Sequence, residues 1–193
     1  MKLGPIEKFD PNNPEHLDSN KYLIVDYEST GRRPSKIEVG VDFKTDAERR
    51  DFTINAMGID SKGNIIDHFD GTKDIQNQIL KTVGDPKQRF SEDYLRMLRL
   101  ARFASRLGFA IEPKTAQATK ELAHNIQNIP AERIMKEVLK MAEQTGDRFA
   151  QSILLLDELG MLKYIFPEIV KMKEFKHSVA THPEGAYVRK ILS

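Results

Sequence analysis

The chain has 193 residues, with 30 Lys and Arg against 29 Asp and Glu and a formal charge of +1. It therefore carries no global attraction for nucleic acid, and any RNA contact must come from local patches. The absence of cysteine excludes disulfides, thiolate zinc sites and a cysteine nucleophile. With 39% hydrophobic and 31% charged residues, it has the composition of an ordinary water-soluble protein, large enough for one or two domains with a core.

In chain order, residues 1–21 are rich in Pro, Asn and Asp and lack the apolar stretch of a signal peptide, so they read as a loop or disordered lead. No run is apolar enough to span a membrane, and the chain as a whole suits the cytoplasm. Residues 22–27 (YLIVDY) and 37–43 (IEVGVDF) are β-like. Asp26 and Glu28, in KYLIVDYEST around the first strand, either supply a third metal-binding carboxylate or are ordinary acids on an edge strand. Two or three strands without sheet partners would expose apolar faces and unpaired edges. That predicts a partner chain, a homo-oligomer or further residues to cover them.

The next feature is Arg49-Arg50-Asp51-Phe52-Thr53-Ile54-Asn55-Ala56-Met57. Two adjacent cations followed by Asp, Thr and Asn suit phosphate and sugar hydroxyls, and Asp51 can accept from a ribose O–H. A helix start capped by Asp51 explains the same residues equally well. A hairpin over 56–69, turning at Ser61-Lys62-Gly63-Asn64, follows. From about residue 74 the pattern is helical. Helices are predicted at 74–81, at 91–107 with Gly108 as the stop, at 113–126, at 131–144 after Pro130, and at 148–159 ending at Gly160.

The segment 89–107, RFSEDYLRMLRLARFASRL, is the most informative. Asp93, Arg96, Arg99 and Arg102 follow at intervals of three, with Arg106 four further on. Opposite them, Tyr94, Met97, Leu98, Ala101 and Ala104 form an apolar stripe. Neighbours at i and i+3 lie together on a helix, so Asp93 and Arg96 can offer an acceptor beside a donor. The ridge also winds round the helix, and Arg102 need not point where Asp93 does. Cytosine and adenine both show an amino donor beside a ring-nitrogen acceptor, whereas uracil and guanine show a carbonyl beside an N–H. A carboxylate next to a guanidinium fits the first pair and opposes the second, and each buried group left unpaired costs roughly 1–3 kcal/mol. The remaining arginines suit a triphosphate. A solvated amphipathic helix with ordinary charge pairs is the plain alternative.

Taken together, ERRDFTINAM and SEDYLRMLRLARFASRLGF resemble the class II nucleotidyltransferases, the tRNA CCA-adding enzymes and bacterial poly(A) polymerases. The intervening GNIIDHFDGTKDIQNQILKTVGDP resembles the linking segment of that family through Asp67, Asp70, Gly71 and Asp74. PAERIMKEVLKM resembles its next motif through Glu132, Arg133 and Glu137, and LLLDELGMLKYIFPEI the start of its helical body.

The resemblance implies an α+β fold: a truncated nucleotidyltransferase head of few strands over 22–88, a helical neck over 89–147, and the start of a helical body over 148–193. It implies attack of an RNA 3′-hydroxyl on the α-phosphate of CTP or ATP with loss of pyrophosphate, the base being read by protein side chains. Asp93 and Arg96 would pair with the base edge. Arg50, Arg99 and Arg102 would contact the nucleotide, chiefly its phosphates; Asp51 would hold the ribose, and Asn55 belongs to the same nucleotide-binding set. The implied partners are tRNA or another RNA 3′ end, with CTP and ATP, and no membrane.

The family also carries a GGxVRD segment and a DxD pair that holds two Mg2+ ions, activating the attacking hydroxyl and stabilising the leaving oxygen. Neither occurs in this sequence. The chain is therefore expected to hold no catalytic or metal-binding residue of its own and not to transfer nucleotides alone. It reads as a fragment, as one chain of a split enzyme whose second chain brings the metal site, or as a non-catalytic RNA- or nucleotide-binding descendant. A poly(A) polymerase piece remains an alternative to a CCA-adding one. The C-terminal KHSVATHPEGAYVRKILS is similar to a stretch that precedes a phosphohydrolase domain in some members, and its end predicts truncation there too. His177 and His182 lack the His-Asp dipeptide of that domain (Asp67-His68 is reversed). His124 reads as a packed or surface histidine. No GxxxxGK[ST] phosphate loop is present.

Overall fold

The computed structural model describes residues 21–25 and 34–39 as backbone, and 43–59 and 64–172 in full. The fold is α+β. It divides into a first unit reaching Arg89 together with Ala110–Glu112, and a second made of Phe90–Phe109 and the chain from Pro113 onward.

The first unit is built on a four-stranded antiparallel sheet of β1 (Lys21–Val25), β2 (Pro34–Val39), β3 (Met57–Ile59) and β4 (Ile65–Asp67), in the order β2-β1-β3-β4. β1 pairs with β2 from Lys21↔Val39 to Val25↔Pro34, with a register irregularity between Ile24 and Val25. Its other edge meets β3 through Leu23↔Ile59 and Ile24↔Gly58. β3 and β4 pair antiparallel as the hairpin expected over 56–69 requires, with Met57 opposite Asp67 and Ile59 opposite Ile65, while residues 60–63 of its expected turn lie outside the described residues. Between β2 and β3 lie α1 (Phe43–Glu48) and a 3-10 turn, Thr53–Asn55. Phe43 and Ala47, one helical turn apart, are buried with Ala56 and Val83, and Ile66 and Phe69 pack against them.

The region after residue 74 is not wholly helical. α2 runs Gly71–Gln76, ahead of the predicted 74–81, and gives way at Gln78, whose φ is +56°. Ile79–Leu80 then forms β5, pairing in parallel with β6 (Ala110–Ile111). A left-handed residue ends a helix, and the β-branched Ile79, Thr82 and Val83 that follow favour extended backbone.

The helix predicted over 91–107 is two helices. α3 (Pro86–Glu92) stops at Asp93–Tyr94, and α4 (Leu95–Leu107) restarts. α4 buries Met97, Leu98, Leu100, Ala101, Phe103 and Ala104 and packs on α6 (Ala131–Ala142) and α7 (Arg148–Glu158). Gly108, with φ +70°, closes it by donating its N–H to the Ala104 carbonyl at 2.9 Å, the stop its sequence position predicts. α5 (Pro113–Leu122) continues as a 3-10 helix over Ala123–Asn128; α8 (Leu162–Ile165) and α9 (Pro167–Met172) complete the described chain. None of the described helices is long and apolar enough to cross a membrane.

Candidate functional site

In the first unit, the expected arginine–aspartate segment runs from the end of α1 into the 3-10 turn. Asp46 on α1 is 7% exposed and gathers both arginines. Arg49 donates Nη2 to its Oδ1 at 3.1 Å. Arg50 donates Nε and Nη2 to its Oδ2 at 3.0 and 2.8 Å, and Nη1 to the Asn55 carbonyl at 3.2 Å. Asp51 does not cap a helix in the ordinary way. Its Oδ1 accepts from the N–H of Phe52 at 2.9 Å and from the Asn55 amide at 3.2 Å. Asn55 itself is buried.

The residues of the linking segment hold this turn in place. Thr53 donates its hydroxyl to buried Asp74 at 2.7 Å and its N–H to the Lys81 carbonyl at 3.0 Å. Val83 N–H bonds the Asp51 carbonyl at 3.1 Å. Gly71 lies so close to the Thr53 carbonyl that a Cβ there would overlap it. Asp67 accepts from the N–H groups of Phe69, Gly71 and Thr72 at 3.2, 3.0 and 2.8 Å. Burial acts to raise its pKa, but the hydrogen bonds, those from Thr72 and Gly71 foremost, outweigh it and hold the carboxyl below its usual range.

In the second unit, Asp93 sits at the break between α3 and α4, not on the helix. Its Oδ1 accepts the N–H of Leu95 at 3.1 Å, and its Oδ2 accepts from Arg133 Nη2 of α6 at 2.8 Å. Arg96, in the first turn of α4, donates Nη1 to Glu92 Oε2 at 2.6 Å. The acceptor and the donor named from the spacing are thus each held by an opposite charge. Arg99 lies over the Phe103 ring, its guanidinium carbon 5.4 Å from the centroid.

Arg102 differs from its expected place among the phosphate contacts. It is 1% exposed, donates Nε to Glu137 Oε2 at 2.7 Å, and rests 4.6 Å from the centroid of Phe103. The reason is helical pitch. Six residues at about 100° each turn Arg102 well away from Arg96, onto the face that packs on α6. Glu137 also accepts from Lys140 at 2.9 Å. Burial raises the Glu137 pKa, yet the Lys140 hydrogen bond and the Arg102 charge outweigh it, and the carboxyl stays below its ordinary range.

Asp46 and Glu92 are the residues that sequence reasoning missed, although Asp46–Arg50 and Glu92–Arg96 both carry the i,i+4 spacing of helical ion pairs. Asp26, Glu28, His177 and His182 lie outside the described residues. His124 is exposed on the 3-10 helix. Among the described residues, no group of three or more His, Asp or Glu could hold a metal ion. The buried carboxylates are already engaged by arginine, lysine, hydroxyl or backbone donors, so these residues do not fit a divalent cation.

Two family models match the chain: the poly(A) polymerase head domain over residues 7–81, and the probable RNA- and SrmB-binding site of polymerase A over residues 108–172. A CCA-adding enzyme of Staphylococcus haemolyticus is 42% identical over 146 residues, covering 75% of this chain and 36% of the relative. One from Enterococcus faecalis is 50% identical over 110 residues, covering 57% and 27%. Among solved structures, the Bacillus stearothermophilus CCA-adding enzyme in complex with CTP aligns with a TM-score of 0.61 at 40% identity, over 67% of this chain and 32% of that one. The Thermotoga maritima CCA-adding enzyme complexed with tRNA aligns with a TM-score of 0.59 at 30% identity, over 65% and 31%. The chain belongs to the class II nucleotidyltransferase family. It spans about a third of the length of the curated CCA-adding enzymes it matches.

Proposed function

We propose that this chain is the nucleotide-selecting part of a CCA-adding enzyme, which transfers CMP and AMP from CTP and ATP to an RNA 3′ end in the cytoplasm. The observation that carries the reading is the start of α4. There a carboxylate and a guanidinium three residues apart, Asp93 and Arg96, are each oriented by a counter-charge, Arg133 and Glu92. An acceptor beside a donor matches the pairing edges of cytosine and adenine and opposes those of uracil and guanine. Each mismatch leaves groups unpaired at roughly 1–3 kcal/mol apiece.

In this proposal Arg50 and Arg99 contact phosphates, Asp51 accepts from the ribose hydroxyl, and Asn55 fixes Asp51. Arg102 supports α4 from beneath rather than touching nucleotide. The Mg2+ chemistry of the family is assigned to none of the described residues, so this stretch by itself is expected to select nucleotides without transferring them. Equilibrium binding of the four ribonucleoside triphosphates tests the reading. Binding of CTP and ATP well above UTP and GTP supports it. Preference for ATP alone favours the poly(A) polymerase alternative. RNA binding with no nucleotide preference favours a non-catalytic RNA clamp.

A further inference from the structure

We infer that Asp46 is a positioning residue for phosphate recognition, holding the Arg50 guanidinium in place before any nucleotide arrives. The inference rests on the nucleotide-binding reading above and adds a residue that the arginine–aspartate segment does not contain.

A guanidinium has five N–H donors. Asp46 takes those of Nε and one of Nη2, and the Asn55 carbonyl takes one of Nη1. Among the described residues, one donor is left on each of the two terminal nitrogens, and the side chain is 22% exposed. The buried carboxylate thus fixes the plane of the group and leaves two donors for phosphate oxygens. A flexible arginine loses rotamer freedom when it closes on an anion, whereas a held one has already lost it, which strengthens binding. Arg49 shares the same carboxylate, so two arginines and one aspartate keep a net positive charge despite the acid between them. Carboxylate and carbonyl grip Arg50 from two directions, a geometry that lysine, with no planar fork, cannot reproduce.

The competing role for Asp46 is simple neutralisation of Arg50, and the two roles predict opposite signs. If Asp46 only neutralises, Asp46→Asn exposes more positive charge and CTP binds more tightly. If it positions, Asp46→Asn loosens Arg50 and CTP binds more weakly, by about tenfold for the loss of one charge-assisted contact.

The test is CTP titration of the chain, of Asp46→Asn, of Arg50→Lys and of the double variant, at one ionic strength. Positioning predicts weakened binding in Asp46→Asn. It also predicts almost no additional loss when that change is made in the Arg50→Lys background, because the group to be positioned is gone. A loss of equal size in both backgrounds marks a general structural role and overturns the inference. Unchanged or tighter binding in Asp46→Asn overturns it too. Should Asp46→Asn not fold, Asp46→Glu keeps the charge and moves the carboxylate by one methylene. Positioning then predicts weaker CTP binding, and wild-type affinity overturns it. A wild-type chain that binds no CTP overturns both this inference and the nucleotide reading. CTP binding indifferent to Asp46 overturns the inference alone.

Discussion

Asp67 and Arg102 both act by holding backbone or helix in place. For Asp67, three N–H groups converge on one carboxylate and its pKa is lowered on folding. The unfolded chain then binds the proton more readily. The stability this supplies is complete above the unfolded pKa and is lost as pH falls through the folded one. Asp67→Asn should therefore flatten the acid side of the thermal-midpoint profile below about pH 4 while lowering the midpoint at neutral pH. An acid limb as steep as in wild type would show that the carboxylate does not carry it. For Arg102, truncation leaves the buried Glu137 carboxylate with Lys140 as its remaining counter-charge and removes the packing of a buried guanidinium. Arg102→Ala should cost about 3–5 kcal/mol in urea unfolding; a loss under about 1 kcal/mol would place Arg102 outside the core. The Asp93–Arg96 spacing was legible in the sequence because it is local. Its partner Arg133 was not, because it lies 40 residues away and only the packing of α4 on α6 brings it there. Arg102 was misplaced because a spacing of three drifts round a helix, and only tertiary packing decides which member of the ridge goes inside.

At the scale of elements, the break at Asp93–Tyr94 places the site differently from one continuous helix. Asp93 can accept the Leu95 N–H only because it precedes α4, which fastens the carboxylate to the backbone at the helix start. Asp is a strong N-cap residue, so the signal was present in the sequence, but continuous helical periodicity on both sides concealed it. The short β5–β6 pairing was equally hidden: two residues per strand give no period to read, and parallel partners lie far apart in sequence. The stop at Gly108 was legible because cap chemistry is local. Gly71 begins α2 where an added Cβ would overlap the Thr53 carbonyl, which ties the 3-10 turn to that helix. Gly71→Ala forces backbone apart and should destabilise the first unit by about 1–3 kcal/mol, together with earlier hydrogen exchange at residues 53–56. Unchanged exchange there would show that the turn does not lean on α2.

For the whole molecule, the family is established by matches at both ends of the described chain and by relatives that are themselves CCA-adding enzymes. With near-neutral charge, the proposed nucleotide recognition rests on fixed geometry rather than a diffuse field, so nucleotide preference should survive moderate salt better than phosphate attraction does. The first unit carries the Asp46–Arg50–Asp51–Asn55 cluster, and the second carries Asp93 and Arg96. In the proposed function, these last two side chains read the base. The most direct test is the ratio of CTP to UTP affinity in the wild-type chain and in Arg96→Ala. A base-reading Arg96 gives a clear preference for CTP in wild type that disappears in the variant while phosphate-driven binding of both nucleotides persists. A CTP preference that survives the loss of Arg96 would contradict it.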